Sequence, residues 1–79
     1  MLTPVYNLAF AITKSDTVDF AQGPCIGIHV GTAGNVVVVF QDGTTCLFKC
    51  IAGQILPVRA KRVDSTNTTA SEMVALYQV

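Results

Sequence analysis

The chain has 79 residues, of which 51% are hydrophobic and 13% charged, and its formal net charge is zero. That length fits one domain, and a domain of this size buries only roughly 60–65% of the surface that its unfolded chain exposes. The apolar fraction therefore exceeds what one small core can hide, which favours self-association or docking on a larger body. The charge pattern lacks the basic cluster that nucleic-acid binding requires, and no apolar run is long enough to span a membrane.

The N-terminal third gives the weakest pattern. We predict an N-terminal arm or an extra strand over residues 1–10 and a single β-sandwich domain over residues 11–79. Residues 8–13 are compatible with a strand or with one helical turn. Turn-prone residues at 14–17 and the pair Gly23-Pro24 break the chain again. The fold prediction therefore depends on the segments that follow.

Residues 25–50 contain three β-branched segments joined by glycine turns. Residues 25–30 alternate in hydrophobicity, and residues 35–40 are apolar on both faces. An Asp-Gly pair then predicts a hairpin that returns through residues 45–50. We interpret the three segments as an antiparallel meander. The loop Gly31–Gly34 joins strand to strand, so we expect a hairpin turn there and not a phosphate-binding loop.

The C-terminal part predicts two further strands. Residues 54–63 alternate, and Pro57 places that strand at a sheet edge or near a strand start, because proline cannot donate to a ladder. After the polar stretch 64–71, residues 72–79 alternate as a closing strand. Short strands with turns about every 8–12 residues are typical of a sandwich or barrel. We therefore predict an all-β fold, a small antiparallel β-sandwich or barrel of about six short strands.

Two of the predicted strands, 35–40 and 72–79, are apolar on both faces. One face of an antiparallel sheet usually meets water. A strand that is apolar on both faces is therefore either covered by a neighbouring element of the same chain or contacts another subunit with one face. Together with the low charge, this pattern predicts a homo-oligomer. The candidate subunit-contact residues are Val37, Val39, Val74, Leu76 and Tyr77.

No group of residues predicts catalysis, a metal site or a cofactor. His29 is the only histidine, and it lies about 13 Å along an extended strand from Cys25. Contact between His29 and Cys46 or Cys50 across the meander stays open. The odd number of cysteines argues against a closed disulfide framework, and their spacing is not that of a zinc knuckle. We interpret the thiols as small hydrophobic side chains and expect the protein not to be an enzyme.

Four stretches in a fixed order carry a resemblance to a known family. They are AITKSDTVD (11–19), GIHVGTAGNVVVVFQDGTT (27–45), AGQILPVRAKRV (52–63) and TTASEMVALY (68–77). This order resembles a family of small virion proteins of tailed bacteriophages and gene transfer agents, often called the spike base protein family after the head-spike base of a gene transfer agent. The resemblance covers about residues 11–77. The three cysteines and residues 1–10 have no clear counterpart in it.

The resemblance implies a β-rich structural protein that self-associates on a phage particle, and it brings no catalytic residues. We therefore expect a bacteriophage virion structural protein: an oligomeric capsid decoration or cement protein, or a head-spike base protein at the capsid surface or vertices. The expected partners are further copies, as a pentamer or trimer, and a major capsid protein or spike fibre protein, with neither nucleic acid nor membrane. The expected location is the virion, after assembly in the host cytoplasm.

Two alternatives remain open at this stage. One is a tail or collar structural protein. The other is a small β-barrel binding module for nucleic acid or glycan, in which Tyr6, Phe20 and Tyr77 would form an exposed aromatic platform. Without a basic groove beside them, core packing or a subunit contact is the preferred interpretation of these rings.

Overall fold

The computed structural model describes residues 5–79, which form seven strands and no helix. In chain order the strands are β1 (Leu8–Ala11), β2 (Gly27–His29), β3 (Gly34–Phe40), β4 (Thr45–Cys50), β5 (Ile55–Leu56), β6 (Ala60–Val63) and β7 (Val74–Tyr77). One sheet has the order β1-β7-β2-β5 and the other the order β4-β3-β6. The predicted all-β sandwich is confirmed, with seven strands rather than about six. Within residues 5–79 there is no helix long and apolar enough to cross a membrane.

The core fills the space between the two sheets. Because successive strand residues point to opposite faces, every second residue of each sheet is turned inward. On β7 these are Ala75 and Tyr77, preceded by Met73. The buried cluster consists of Cys25, Ile28, Val30, Val36, Val38, Cys50, Leu56, Ala60, Val63, Ala70, Met73, Ala75 and Tyr77. Burial of this apolar surface is the main force that holds the sheets together.

The hairpin predicted at the Asp-Gly pair is confirmed between β3 and β4. The N–H of Phe40 donates to the carbonyl oxygen of Thr44 at 2.8 Å and closes the turn. Asp42 Oδ1 accepts the N–H and the hydroxyl of Thr44, at 3.0 and 2.7 Å. Gly43 has a φ of 89°, a left-handed conformation that glycine adopts without strain. This turn sets a register in which Val37 lies opposite Leu47.

The meander predicted over residues 25–50 is wrong in its first step. β2 belongs to the four-stranded sheet, whereas β3 and β4 belong to the other. The loop Gly31–Gly34 is therefore a crossover between sheets and not a hairpin turn. A Cβ atom at Gly31 would lie 2.6 Å from the carbonyl oxygen of Glu72, so the crossover runs directly against the segment that precedes β7. This close passage explains why a glycine stands there.

The single strand predicted over residues 54–63 is divided into two. β5 ends at Leu56 in the four-stranded sheet, and β6 begins at Ala60 in the three-stranded sheet. Pro57 has no N–H to continue a ladder, and the N–H of Val58 turns back to the carbonyl oxygen of Leu56 at 2.9 Å. The prediction that Pro57 marks a sheet edge is confirmed, because β5 is the last strand of its sheet.

β1 lies across the boundary predicted between residues 1–10 and 11–79. All four of its residues are in register with β7, from Leu8 opposite Tyr77 to Ala11 opposite Val74. The first four positions of the predicted arm lie outside the described residues.

Candidate interaction surface

The four-stranded sheet turns an uncharged face outward. Its four strands contain no Asp, Glu, Lys or Arg. The residues that point away from the core are Ala9, Ala11, Gly27, His29, Ile55, Val74 and Leu76. We name this surface the apolar face. The outward face of an antiparallel sheet usually carries polar residues, so an uncharged one is the leading candidate for a contact with another protein.

The apolar face is more exposed at its edge strands than in its interior. Val74 and Leu76 are half-buried in the central strand, whereas Ile55, at one edge, is 45% exposed. The ring of Tyr6 lies over Gly27, where an added Cβ would meet the Tyr6 hydroxyl oxygen at 3.1 Å. Gly27 therefore leaves room for this ring, which extends the face beyond the strands.

Of the predicted contact residues, Val74 and Leu76 lie on the apolar face and Tyr77 does not. Tyr77 points into the core and is 6% exposed. Its hydroxyl donates to the carbonyl oxygen of Gly23 at 2.8 Å, and burial raises the pKa of Tyr77. Tyr77 consequently has little surface to offer a neighbour.

The other two candidates, Val37 and Val39, lie on the outer face of the three-stranded sheet, because the alternate residues of β3 enter the core. Val37 is half-buried opposite Leu47, which is 45% exposed, and the two form a second, smaller apolar patch. Val39 is 1% exposed, in register with Arg62. The Arg62 guanidinium binds Asp19 at 2.9 Å. Val39 is thus already covered within one chain.

A cleft of about 450 Å³ opens between the inner side of β1 and the segment 13–22. The rings of Phe10 and Tyr77 meet there edge to face, with their centroids 5.9 Å apart. The charged groups at the rim have partners within the chain: Asp19 binds Arg62, and Lys14 Nζ donates to a main-chain oxygen at 3.4 Å. The cleft therefore offers apolar walls and no arrangement of acid, base and nucleophile.

The three aromatic residues considered as a platform do not share one surface. Tyr6 lies on the apolar face, whereas Phe20 and Tyr77 line the cleft on the opposite side of the same sheet. The platform that stacking on single-stranded nucleic acid requires is not assembled by these rings.

The structure separates the histidine from the thiols. His29 lies on the apolar face, whereas Cys46 and Cys50 belong to β4 of the other sheet and Cys25 is fully buried. Burial raises the pKa of the Cys25 and Cys50 thiols, which keeps them protonated and unreactive. Among residues 5–79, no group of three or more His, Cys, Asp or Glu is placed to hold a metal ion.

The two neighbouring aspartates stabilise loops. Asp16 accepts the N–H of Thr66 at 2.9 Å and its hydroxyl at 2.7 Å. These hydrogen bonds hold the pKa of Asp16 below its usual value. Asp19 forms the ion pair with Arg62. The two carboxylates therefore serve different loop contacts and do not form an acid–base pair.

The sequence interpretation missed Ala9, Ala11, Ile55 and Leu47 as surface candidates. For Ala9, Ala11 and Ile55 the signal is the absence of charge on whole strands, such as residues 8–11. Leu47 lies on β4, which contains Lys49, and lacks this signal. Uncharged strands identify a surface only when it is known which strands share a sheet.

Fold and surface together define a small β-sandwich with an uncharged outer face. No protein-family model matches the chain, and no curated protein matches it. Among solved structures it is similar to a chain from the capsid of a native gene-transfer-agent (GTA) particle, computed with C5 symmetry. The two are 36% identical with a TM-score of 0.84, and the match covers 91% of this chain and 83% of that one. The chain belongs to the family of this capsid-particle protein.

Proposed function

We propose that the protein is a structural component of a phage or gene-transfer-agent particle, where it acts as an oligomeric decoration, cement or head-spike base protein on the capsid. The observation that carries the proposal is the 36% identity, over 91% of the chain, to a protein of a gene-transfer-agent capsid. The apolar face supplies a physical means of attachment, and none of the side-chain groups among residues 5–79 is arranged for catalysis.

The size of the chain limits how it can attach. A standard interface buries about 800 Å² on each partner, and the accessible surface of the chain is 4735 Å². One such contact therefore occupies about a sixth of the surface. The apolar face, with Tyr6 and Ile55 at its rim, lies on the sheet whose strands contain no Asp, Glu, Lys or Arg. We assign it to the principal contact, with Val74 and Leu76 at its centre.

The symmetry of the related particle supports one arrangement over the others. That particle was computed with C5 symmetry, and a ring of five copies is the oligomer that fits a five-fold vertex. We therefore favour a pentameric spike base at a vertex, with a capsid protein below it and a fibre protein above it. A trimer on a capsid face is the competing arrangement.

The test is the composition of purified particles. Particles from cells that encode this chain are separated on a density gradient, and the chain is quantified against the major capsid protein by mass spectrometry. We expect it to sediment with the particles at a constant ratio, including after a high-salt wash. Light scattering of the purified chain should give five times its 8.4 kDa mass. A chain that is absent from the particles and monomeric alone would refute the proposal.

A further inference from the structure

The two sheets have four edges, and two of them are protected. β5 has only two residues and is followed by Pro57, so it offers another strand almost no ladder. The free side of β6 is covered by the segment 15–25 of the same chain. Three N–H groups of that segment donate to β6 carbonyl oxygens: Ser15 to Val63 at 3.0 Å, Phe20 to Lys61 at 2.8 Å and Cys25 to Ala60 at 2.9 Å.

The edge formed by β1 is open over the part of the chain that the structure describes. The N–H of Ile12 donates to β7, at the Met73 oxygen. Because an antiparallel ladder alternates, the backbone groups of Ala9 and Ala11 point away from β7. β1 contains no proline, no charge and no bulge. It therefore lacks the features by which exposed edges usually avoid pairing.

The edge formed by β4 is open in the same way. Phe40 N–H bonds to Thr44 at the start of the β3–β4 ladder, so the alternation turns the backbone groups of Leu47 and Lys49 outward. The carbonyl oxygen of Leu47 meets only the Cys46 thiol, at 3.9 Å. β4 is six residues long and carries a single charge, Lys49. Each sheet thus has one protected edge and one open edge.

We propose that β1 of one copy pairs with β4 of the next copy, which joins the four-stranded sheet of one subunit to the three-stranded sheet of its neighbour. The proposal rests on the oligomer of the proposed function and adds a backbone contact between copies to the contact that the apolar face makes. Pairing of unlike edges covers both open edges of every copy with a single type of contact, and such a head-to-tail contact closes into a ring where the rotation between neighbours is a whole fraction of a turn. Pairing of like edges needs two different two-fold contacts, which generate dihedral assemblies or open chains and not a cyclic ring of five.

Cross-linking identifies the neighbouring strands directly. Cys46 on β4 is exposed, whereas Cys25 and Cys50 are buried, so Ala11→Cys adds one reactive thiol on β1. A short bismaleimide should then produce a ladder of covalent oligomers, with peptides containing positions 11 and 46 joined. The matched control is Ala33→Cys, an exposed alanine in the crossover loop, which should give no ladder. Cross-links from Cys46 to Cys46 in the wild-type protein would overturn the proposal, because they show that β4 pairs with β4.

A proline variant tests the backbone pairing itself. Ala9→Pro removes an outward N–H and leaves the β7 side of the strand intact, whereas Ala9→Val keeps the N–H. We expect Ala9→Pro to weaken assembly about tenfold or more, and Ala9→Val to assemble like the wild type. If Ala9→Pro leaves the oligomer unchanged and no cross-link joins positions 11 and 46, the edge pairing is refuted and the proposed function is not. A wild-type chain that is monomeric and missing from particles overturns the proposed function as well.

Discussion

Replacing Leu76 by Asp should dissociate the oligomer and leave the subunit folded. Leu76 is half-buried in the second strand of the apolar face, in register between Ala9 and Gly27. Complete burial of a leucine side chain stabilises by about 1.5–3 kcal/mol, so the half that a contact still has to bury contributes roughly 1 kcal/mol. A carboxylate on a face with no cation adds a desolvation cost of a few kcal/mol. A total of about 3 kcal/mol weakens assembly about a hundredfold.

The effect on the subunit itself should be smaller. The face of Leu76 is outside the core, and strand propensities differ by only about 1 kcal/mol. For a domain of this size, 1 kcal/mol corresponds to a melting temperature about 4–8 °C lower. Sedimentation velocity over a range of concentrations measures assembly, and circular dichroism measures the melting temperature. Gln41→Asp introduces the same charge at an exposed position in the turn between β3 and β4, outside the apolar face, and should leave assembly unchanged.

The reasoning is refuted if Leu76→Asp assembles with wild-type affinity, because the apolar face would then not lie in the subunit contact. Leu76→Thr covers the case in which the aspartate variant does not fold. Threonine favours strands and has no charge, so this variant should fold and assemble about tenfold more weakly, from the loss of apolar area alone.

Three further predictions follow from single contacts. Tyr77→Phe removes the hydrogen bond to a main-chain oxygen at 2.8 Å and should lower the free energy of unfolding by about 1 kcal/mol in urea titration; an unchanged midpoint would contradict this. A thiol reagent should modify Cys46 at once in the native protein and the two buried cysteines only after unfolding; prompt modification of all three would show that the core opens readily. Asp16→Asn should lower the free energy of unfolding at neutral pH. The difference from the wild type should shrink as the pH falls below 3.8, the ordinary pKa of aspartate, and vanish as the pH falls through the lowered pKa of Asp16. A difference that persists in strong acid would contradict a role for the charged form of Asp16.

The strands could be predicted from the sequence, but their assignment to sheets could not. Alternation sorts the residues of a strand into two faces, and it groups Ala75 with Tyr77 correctly. Where both faces are apolar, it does not show which face meets the core. It contains no information on which sheet a strand joins. The crossover between β2 and β3 depends on the close approach of Gly31 to Glu72, more than forty residues away in sequence. A local pattern of glycines cannot distinguish such a crossover from a hairpin.

Residues 54–63 show why alternation can hide a change of sheet. Leu56 and Ala60 are buried, and Val58 packs against the same cluster. A chain that crosses from one sheet of a sandwich to the other keeps facing the same core, so its inward residues continue with a period of two. The break is detectable only through Pro57, which interrupts the ladder without interrupting the hydrophobic pattern.

The candidate surface follows from how charge is divided between the sheets. The strands contain three charged residues, Lys49, Lys61 and Arg62, and all three belong to the three-stranded sheet. The four-stranded sheet, with none, is the side on which a contact removes apolar area from water without stripping the hydration from an ion. Apolarity on both faces of a single strand could not show this asymmetry, because it selected the buried residues Val39 and Tyr77 along with the half-buried residues Val37, Val74 and Leu76.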